Sequence, residues 1–546
     1  MRAIRLLVPI AALASLLLTQ AAAAGHGSAD DASPNMVHLA NVPPPAPFLT
    51  GPSNEARNNS DLAFWEDLAF VGNYDGFRVI DIKDPASPAV VSIVECRANQ
   101  GDLSVYKVRR ANRLLLIQSI EEPVVARDCA AARDTPIVPG TNPVTNVPST
   151  FRQKGWEGLR IFDVTDPAAP QMIAFVPTAC GSHTHTTIRD DRNRRAIIYV
   201  SSYPSGPRVT RREDLATLPE QPNCVPDHNK ISIVEIPDRN PEGARVLKEQ
   251  PLDSDTAVWT ATGNGGSPVR GCHDITVFEF SARRKVAGGA CLSEGQLWDV
   301  SDPANPTTNA AGEHTHIRNP FIDGPTPPLR GLFHTASFTW DGEVVLFTDE
   351  WQGGGAHGCD GPQDTRGNVW FYRNVTPGTA VAPLHGRYML PRPQPREDVC
   401  TLHNGNVIPT TEGYYGVSSS YEAGTTVFDF SGVLDRPAIP QPLTGSETIP
   451  NVATEVAFFD AKDDPPAPVG VDDTWSSYWY NDHVFANGGF GRPGFRGFDS
   501  YLLLGQNGRL APPVTDPGAA GVQQFRARKF QYMNPQTQEA FQALGG

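Results

Sequence analysis

One motif that recurs seven times, 49 glycines and 51 prolines in 546 residues, and the lack of any long amphipathic helical pattern predict an all-β fold. The architecture expected is a seven-bladed β-propeller of four-stranded repeats, a single domain behind a signal peptide. The strongest copies read "GFRVIDIKDPASP" from Gly76, "GLRIFDVTDPAAP" from Gly158 and "GQLWDVSDPANP" from Gly295. Weaker copies begin at Lys230, Gly367, Gly424 and Gly494. Aligned, they place Asp81, Asp163, Glu235, Asp299, Tyr372, Asp429 and Asp499 at one position. Within a copy, alternating apolar residues lead to a turn and then a second short apolar run, the pattern of paired strands. Two further short strands lie upstream, such as "HTTIRD" and "RAIIYVSSY" before the third copy. A unit of four short strands cannot bury a core alone. Radial stacking solves this and leaves only short, protected edges.

In chain order, residues 1–24 have Arg2 and Arg5, an apolar run from Leu6 to Leu18 and small residues at Ala22 to Ala24. That is the pattern of a secretory signal peptide cleaved before Gly25. Residues 25–56 form an N-terminal segment in which Asn35 to Pro47 is a candidate closing strand for an end blade. The propeller is expected over 57–505, with blades at 57–96, 97–179, 180–252, 270–318, 331–397, 398–461 and 470–505. Long excursions at 121–155, 203–228 and 351–366 fall between the second and third strands of their blades. The tail, 506–546, holds the other candidate closing strand, "VQQFRARKFQYM", and a short helix is expected in "NPQTQEAFQAL".

The "GLRIFDVTDPAAP" form resembles the LVIVD repeat of secreted and surface proteins of bacteria and archaea, and the resemblance runs through nearly the whole chain after residue 24. It implies a β-propeller and a surface-associated binding role. It implies little chemistry.

Composition narrows the function classes. The formal charge is −15, and loss of Arg2 and Arg5 with the signal takes it to −17. Such an excess argues against nucleic acid and anionic membranes as partners. No stretch approaches the ~20 apolar residues of a membrane span, so a secreted or cell-surface monomer is expected. No "GxSxG", P-loop, dinucleotide fingerprint or "HExxH" is present, which leaves serine-nucleophile and nucleotide chemistry unsupported.

The eight cysteines are even in number, as suits an oxidising compartment. Cys96, Cys180, Cys272 and Cys400 each precede an inner strand, whereas Cys129, Cys224, Cys291 and Cys359 each follow a second strand. All eight therefore belong on one face. Sequential pairing fits: Cys96–Cys129, Cys180–Cys224, Cys272–Cys291 and Cys359–Cys400. Zinc is the rival, since Cys180 with His183, Cys224 with His228 and Cys400 with His403 have ligand-like spacings.

The histidines follow a related pattern. His183 and His185 open the third blade, and His273, His334 and His403 open the fourth, fifth and sixth. Residues entering inner strands from this face converge on the axis, where neutral imidazoles suit copper, zinc or iron. Asp274, and Asp349 or Glu350, could add an oxygen or orient a ring. The competing reading is a polar channel mouth in which these side chains bond backbone or water. His314 and His316 in "GEHTHIRNP" form a second pair, on an outer strand or crossing loop. The acidic residues Asp75, Glu157, Glu294 and Glu422, each before a third strand, are expected as solvated turn residues.

Two functions follow. One is a binding or scaffold protein that presents its disulfide-pinned face to a protein, glycan or small molecule, with a His-rich metal site at the channel mouth. The other is a metal-dependent oxidase or hydrolase whose ion is held by the inner-strand histidines.

Overall fold

The structure is a computed structural model that describes residues 31–49, 58–98, 100–108, 111–125, 128–129, 137–141, 148–152, 156–203, 224, 228–253, 271–292, 294–308, 312–320, 332–350, 367–392, 394, 399–440, 448–461, 474–488, 497–510 and 514–539. The expected signal peptide lies outside them. Seven antiparallel sheets are arranged as a propeller, and strands within each follow one another from the axis outward. The first blade, for example, runs Asn59–Trp65, Leu68–Asn73, Gly76–Asp81, Ala89–Glu95. Every junction between neighbouring blades holds its own hydrophobic cluster, including the one that joins the seventh blade to the first. Among the described residues no helix is long and apolar enough to cross a membrane.

The ring closes with the N-terminal segment. Met36–Val42 pairs antiparallel with Phe498–Gln506 as the outermost strand of the seventh blade, and Asp31–Ala32 extends the sixth. The tail contributes as well: Val522–Gln524 pairs with the far end of Phe498–Gln506. From there it crosses to the axis, where Tyr532–Met533 adds to the inner strand of the first blade and Thr537–Glu539 to that of the fourth. The expected helix in "NPQTQEAFQAL" is therefore wrong over 534–539, and the remainder of that stretch lies outside the described residues. Side-chain amides explain the difference. Asn534 exchanges two hydrogen bonds with the backbone of Val105, at 2.8 and 2.9 Å. Gln538 does the same with Phe338, at 2.7 and 2.9 Å. An extended chain lets both amides reach inner strands that a helix would turn away from.

A repeated bulge between third and fourth strands gives the register of the repeats. It falls between Val79 and Ile80, Ile161 and Phe162, Ile233 and Val234, Phe371 and Tyr372, and Val427 and Phe428. The pairing of Ser500 and Tyr501 marks the same place in the seventh blade. By this measure Arg373 and Leu502, not Tyr372 and Asp499, occupy the position of Asp81. Where that position is Asp, its carboxylate accepts the amide two residues on, as with Lys83, Thr165, Ser301 and Ser431. In the Asp-Pro turns, Asp84, Asp166 and Asp302 likewise accept from Ala86, Ala168 and Ala304.

Three disulfides join Cys96–Cys129, Cys180–Cys224 and Cys272–Cys291, as the pairing in order expects. Cys400 is also disulfide-bonded, and Cys359 lies outside the described residues. With these thiols oxidised, the Cys-containing zinc alternative at Cys180, Cys224 and Cys400 falls away. The acidic residues before third strands are not solvated as a group: Asp75, Glu157 and Glu294 are buried.

Candidate metal centre at the channel mouth

The mouth is built from the ends of inner strands. In the third and fourth blades a left-handed glycine leads in, Gly181 at φ +68° and Gly271 at φ +101°. A Cβ on Gly181 would sit 2.2 Å from the Glu121 carbonyl, and one on Gly271 1.9 Å from that of Ser202, so only glycine permits these approaches. Two residues later come His183 and His273. Their amides, like that of His403, bond a carbonyl at the end of the second strand: Ser201, Ala290 and Ser419 respectively.

Four imidazoles form a row across four blades. Ring centroids are 4.1 Å apart for His183 and His273, 3.8 Å for His273 and His334, and 4.1 Å for His334 and His403. All four rings are buried. Burial lowers the pKa of His273 and His334 well below the ordinary value and that of His403 to about 3, so these rings are neutral at physiological pH. For His183 burial is again the largest influence and pulls the same way, but the Glu121 carboxylate together with the Asp274 and Glu350 charges outweighs it and the pKa is raised.

The members of the row differ in what holds them. His183 is engaged on both ring nitrogens: Gln100 lies 3.1 Å from Nε2, while Glu121 and Tyr203 lie 2.9 and 3.1 Å from Nδ1. His403 donates Nδ1–H to the Trp475 carbonyl at 2.5 Å, which leaves the Nε2 lone pair facing Glu350. Glu350 lies between two rings, Oε1 3.7 Å from His403 Nε2 and Oε2 3.8 Å from His334 Nε2. These spacings exceed hydrogen-bond reach. They suit atoms that each lie about 2.1 Å from a shared ion, since two such ligands stand up to about 4.2 Å apart.

His334, Glu350 and His403 offer ligand atoms within 4.8 Å of one another, and so do His273, Asp274 and His334. Nδ1 of His273, Nδ1 of His334 and Oδ1 of Asp274 are buried with no hydrogen-bond partner among the described residues. Buried polar atoms of this kind are rare unless something else satisfies them. Burial pushes the Glu350 carboxyl up to about 7 and raises that of Asp274 well above its usual range. A bound cation would favour their charged forms. Tyr421 donates its hydroxyl to Glu350 and packs tilted against His403, with ring centroids 4.7 Å apart.

Two expected residues stand apart from the row. His185 lies between Ser104 and Ser119, 2.7 Å from one hydroxyl and 2.8 Å from the other, with Asp102 3.1 Å from Nδ1. Asp349 accepts from Asn319, the Leu332 amide and the Trp370 indole, and so ties loops to its strand. The reason is geometric: neighbouring strand residues point to opposite faces, so Glu350 turns to the axis when Asp349 does not. Asp274 offers an oxygen within 4.8 Å of ligand nitrogens of His273 and His334.

Residues with no motif of their own complete the mouth. Glu121 lies at the far end of a long second strand, Leu114–Val125. Tyr421 sits in a turn at φ +45°, next to the Glu422 that the repeat singled out. Asp102 of blade two directly precedes that blade's inner strand, Leu103–Lys107, and Asp61 of blade one hydrogen-bonds to it.

Comparison with known proteins adds the following. Residues 56–96, the first blade, match the family model of the LVIVD repeat. No curated protein matches the chain. Similar solved structures include the β-propeller domain of Cps50 (Swd1) from Myceliophteria thermophila. It is 12% identical and covers 81% of this chain and 96% of its own, with a TM-score of 0.39. Raptor from Chaetomium thermophilum is 10% identical over 86% of this chain, with a TM-score of 0.37; the match spans only 28% of that protein. BBS1N, solved with ARL6DN, is 9% identical over 86% of this chain and 97% of its own, with a TM-score of 0.39.

Proposed function

Taking as premise a disulfide-bonded seven-bladed propeller whose first blade carries an LVIVD repeat, we propose that this protein is an exported binding protein. It holds a transition-metal ion at the mouth of its channel and offers the pinned face around it to a protein, glycan or small-molecule partner. The observation that carries the reading is that His334, Glu350 and His403, from two blades, bring ligand atoms within 4.8 Å of one another. Neutral imidazoles with a carboxylate suit zinc, copper or iron. The disulfides beside the inner strands keep the rim rigid, as a loop face used for recognition requires.

The test is elemental analysis of protein purified from an export-competent host. About one equivalent of transition metal is expected at this site, read as about one equivalent less in a His334→Ala, His403→Ala double variant that keeps its disulfides than in the parent protein. A parent protein free of metal, and unable to take any up on titration, would overturn the metal site and leave the binding face alone.

A second reading is a metal-dependent oxidase or hydrolase. It is favoured by the small ligand set, two imidazoles and one carboxylate, which leaves coordination positions for substrate or water, and by the Tyr421 hydroxyl poised on Glu350. Metal-dependent turnover of oxygen or an ester that disappears in the same double variant would select it.

A further inference from the structure

A second pair of histidines lies away from the channel, at the outer edge of the fourth blade. His316 is in the outermost strand, Thr315–Arg318, and His314 immediately precedes it. The "HTH" spacing puts both rings on one side of an extended chain. Their Nε2 atoms face each other at 3.0 Å. Asp253, which follows the outermost strand of the third blade, brings Oδ2 to 3.8 Å from His314 Nε2. The three ligand atoms all lie within 4.8 Å of one another.

The surroundings are ordered toward that point. Glu294, buried, accepts from His316 Nδ1 at 3.2 Å, which leaves Nε2 of that ring with its lone pair directed at His314. A carboxylate behind a ligating imidazole is the usual way its tautomer is set. Gln296 donates to the Asp253 carbonyl at 2.7 Å, and the Asp253 amide donates to the Thr308 carbonyl at 2.8 Å. The acidic residue is thereby fixed across the seam between blades. The side chains of Asp253 and His316 are 41% and 26% exposed, so an ion could enter from solvent and keep a water ligand.

We propose that His314, His316 and Asp253 form a second, independent site for a divalent ion of the zinc class, clasping the exit of the third blade to the outer strand of the fourth. Two imidazoles, one carboxylate and a water make a tetrahedral set for that ion. A proton shared between the two rings is the competing account of the 3.0 Å approach, and the experiment separates the two.

Metal-stripped protein is titrated with Zn²⁺ alone, and bound zinc is counted after desalting. The parent protein should bind about one equivalent more than an Asp253→Asn, His316→Gln variant. The His334→Ala, His403→Ala variant should keep that equivalent, so this site stands or falls apart from the channel mouth. Asp253→Asn alone, a half-exposed and isosteric change, should weaken the zinc affinity of the site about tenfold or more while far-UV circular dichroism stays that of the parent. Equal zinc uptake by the parent and the double variant would overturn the proposal. So would a parent protein whose His314 and His316 ring resonances do not move at saturating Zn²⁺, which is the outcome a shared proton gives.

Discussion

His183 and His185 differ by two positions in the chain and by the whole of their surroundings. Both point to the same side of one strand, but the second lies one step further from the rim, where Ser104, Ser119 and Asp102 close around it. Burial there lowers its pKa to about 3, so the ring is neutral and serves as a hydrogen-bonded strut. Asp102 behaves oppositely: burial first, opposed by hydrogen bonds and the His183 charge, raises its carboxyl to about 6. Its unfolded value is about 3.9. Between these the native state holds the extra proton, so the contribution of Asp102 to stability falls as pH rises from about 4 to about 6 and is level above that. An Asp102→Asn variant, whose side-chain oxygen can still accept the His185 amide, should lose less stability over that interval, by on the order of 2 kcal/mol. Urea unfolding of both proteins at pH 4 and pH 6.5 measures it. Equal pH dependence would mean that Asp102 titrates normally.

At the scale of the strand, the third position before the repeat's Asp fastens three of the blades to the one before. Arg78 donates to the Val42 and Pro43 carbonyls at 3.2 and 2.8 Å, and Arg160 to the Arg97 carbonyl at 2.5 Å. Gln296 does the same to Asp253. In each case the acceptor lies where the preceding blade's outer strand ends. The guanidinium groups are buried, and desolvation lowers both to about 10. An Arg160→Met variant keeps the stem's packing but leaves the Arg97 carbonyl without this donor. It should cost about 1–3 kcal/mol in denaturant unfolding, with the disulfide Cys96–Cys129 intact. A loss below the error of that measurement would show that water replaces the guanidinium.

For the whole molecule, closure depends on a strand far from its partner in sequence. Met36–Val42 completes the seventh blade, and its last residue and the Pro43 that follows supply the carbonyls that Arg78 grips. Removing residues 31–42 should therefore weaken two blades at once. The expected outcome is a thermal midpoint well below the parent's and protease cleavage in the seventh blade before the others. An unchanged midpoint would mean that the tail strand Val522–Gln524 and the hydrophobic cluster at that junction suffice for closure.

Much of this was legible in the chain itself. Period-two apolar alternation and the Gly-to-Asp-Pro spacing determined the blades, their order and the inner-strand entry points, because both follow from contacts within one repeat. The order of the cysteines along the chain also suggested three of the pairings that the structure contains. The short helix was misjudged because Asn534 and Gln538 take their conformation from inner strands hundreds of residues away, which no local propensity records. Likewise the sequence named the histidines but not which of them meet. His183 joins the row and His185 does not; Glu350 faces the axis and Asp349 does not; Tyr421 and Glu121 arrive from other blades. Those outcomes rest on how far each inner strand runs into the mouth and which way its last residue turns. Only the packing of seven blades around one axis decides that, since the row of rings is measured between residues of different blades.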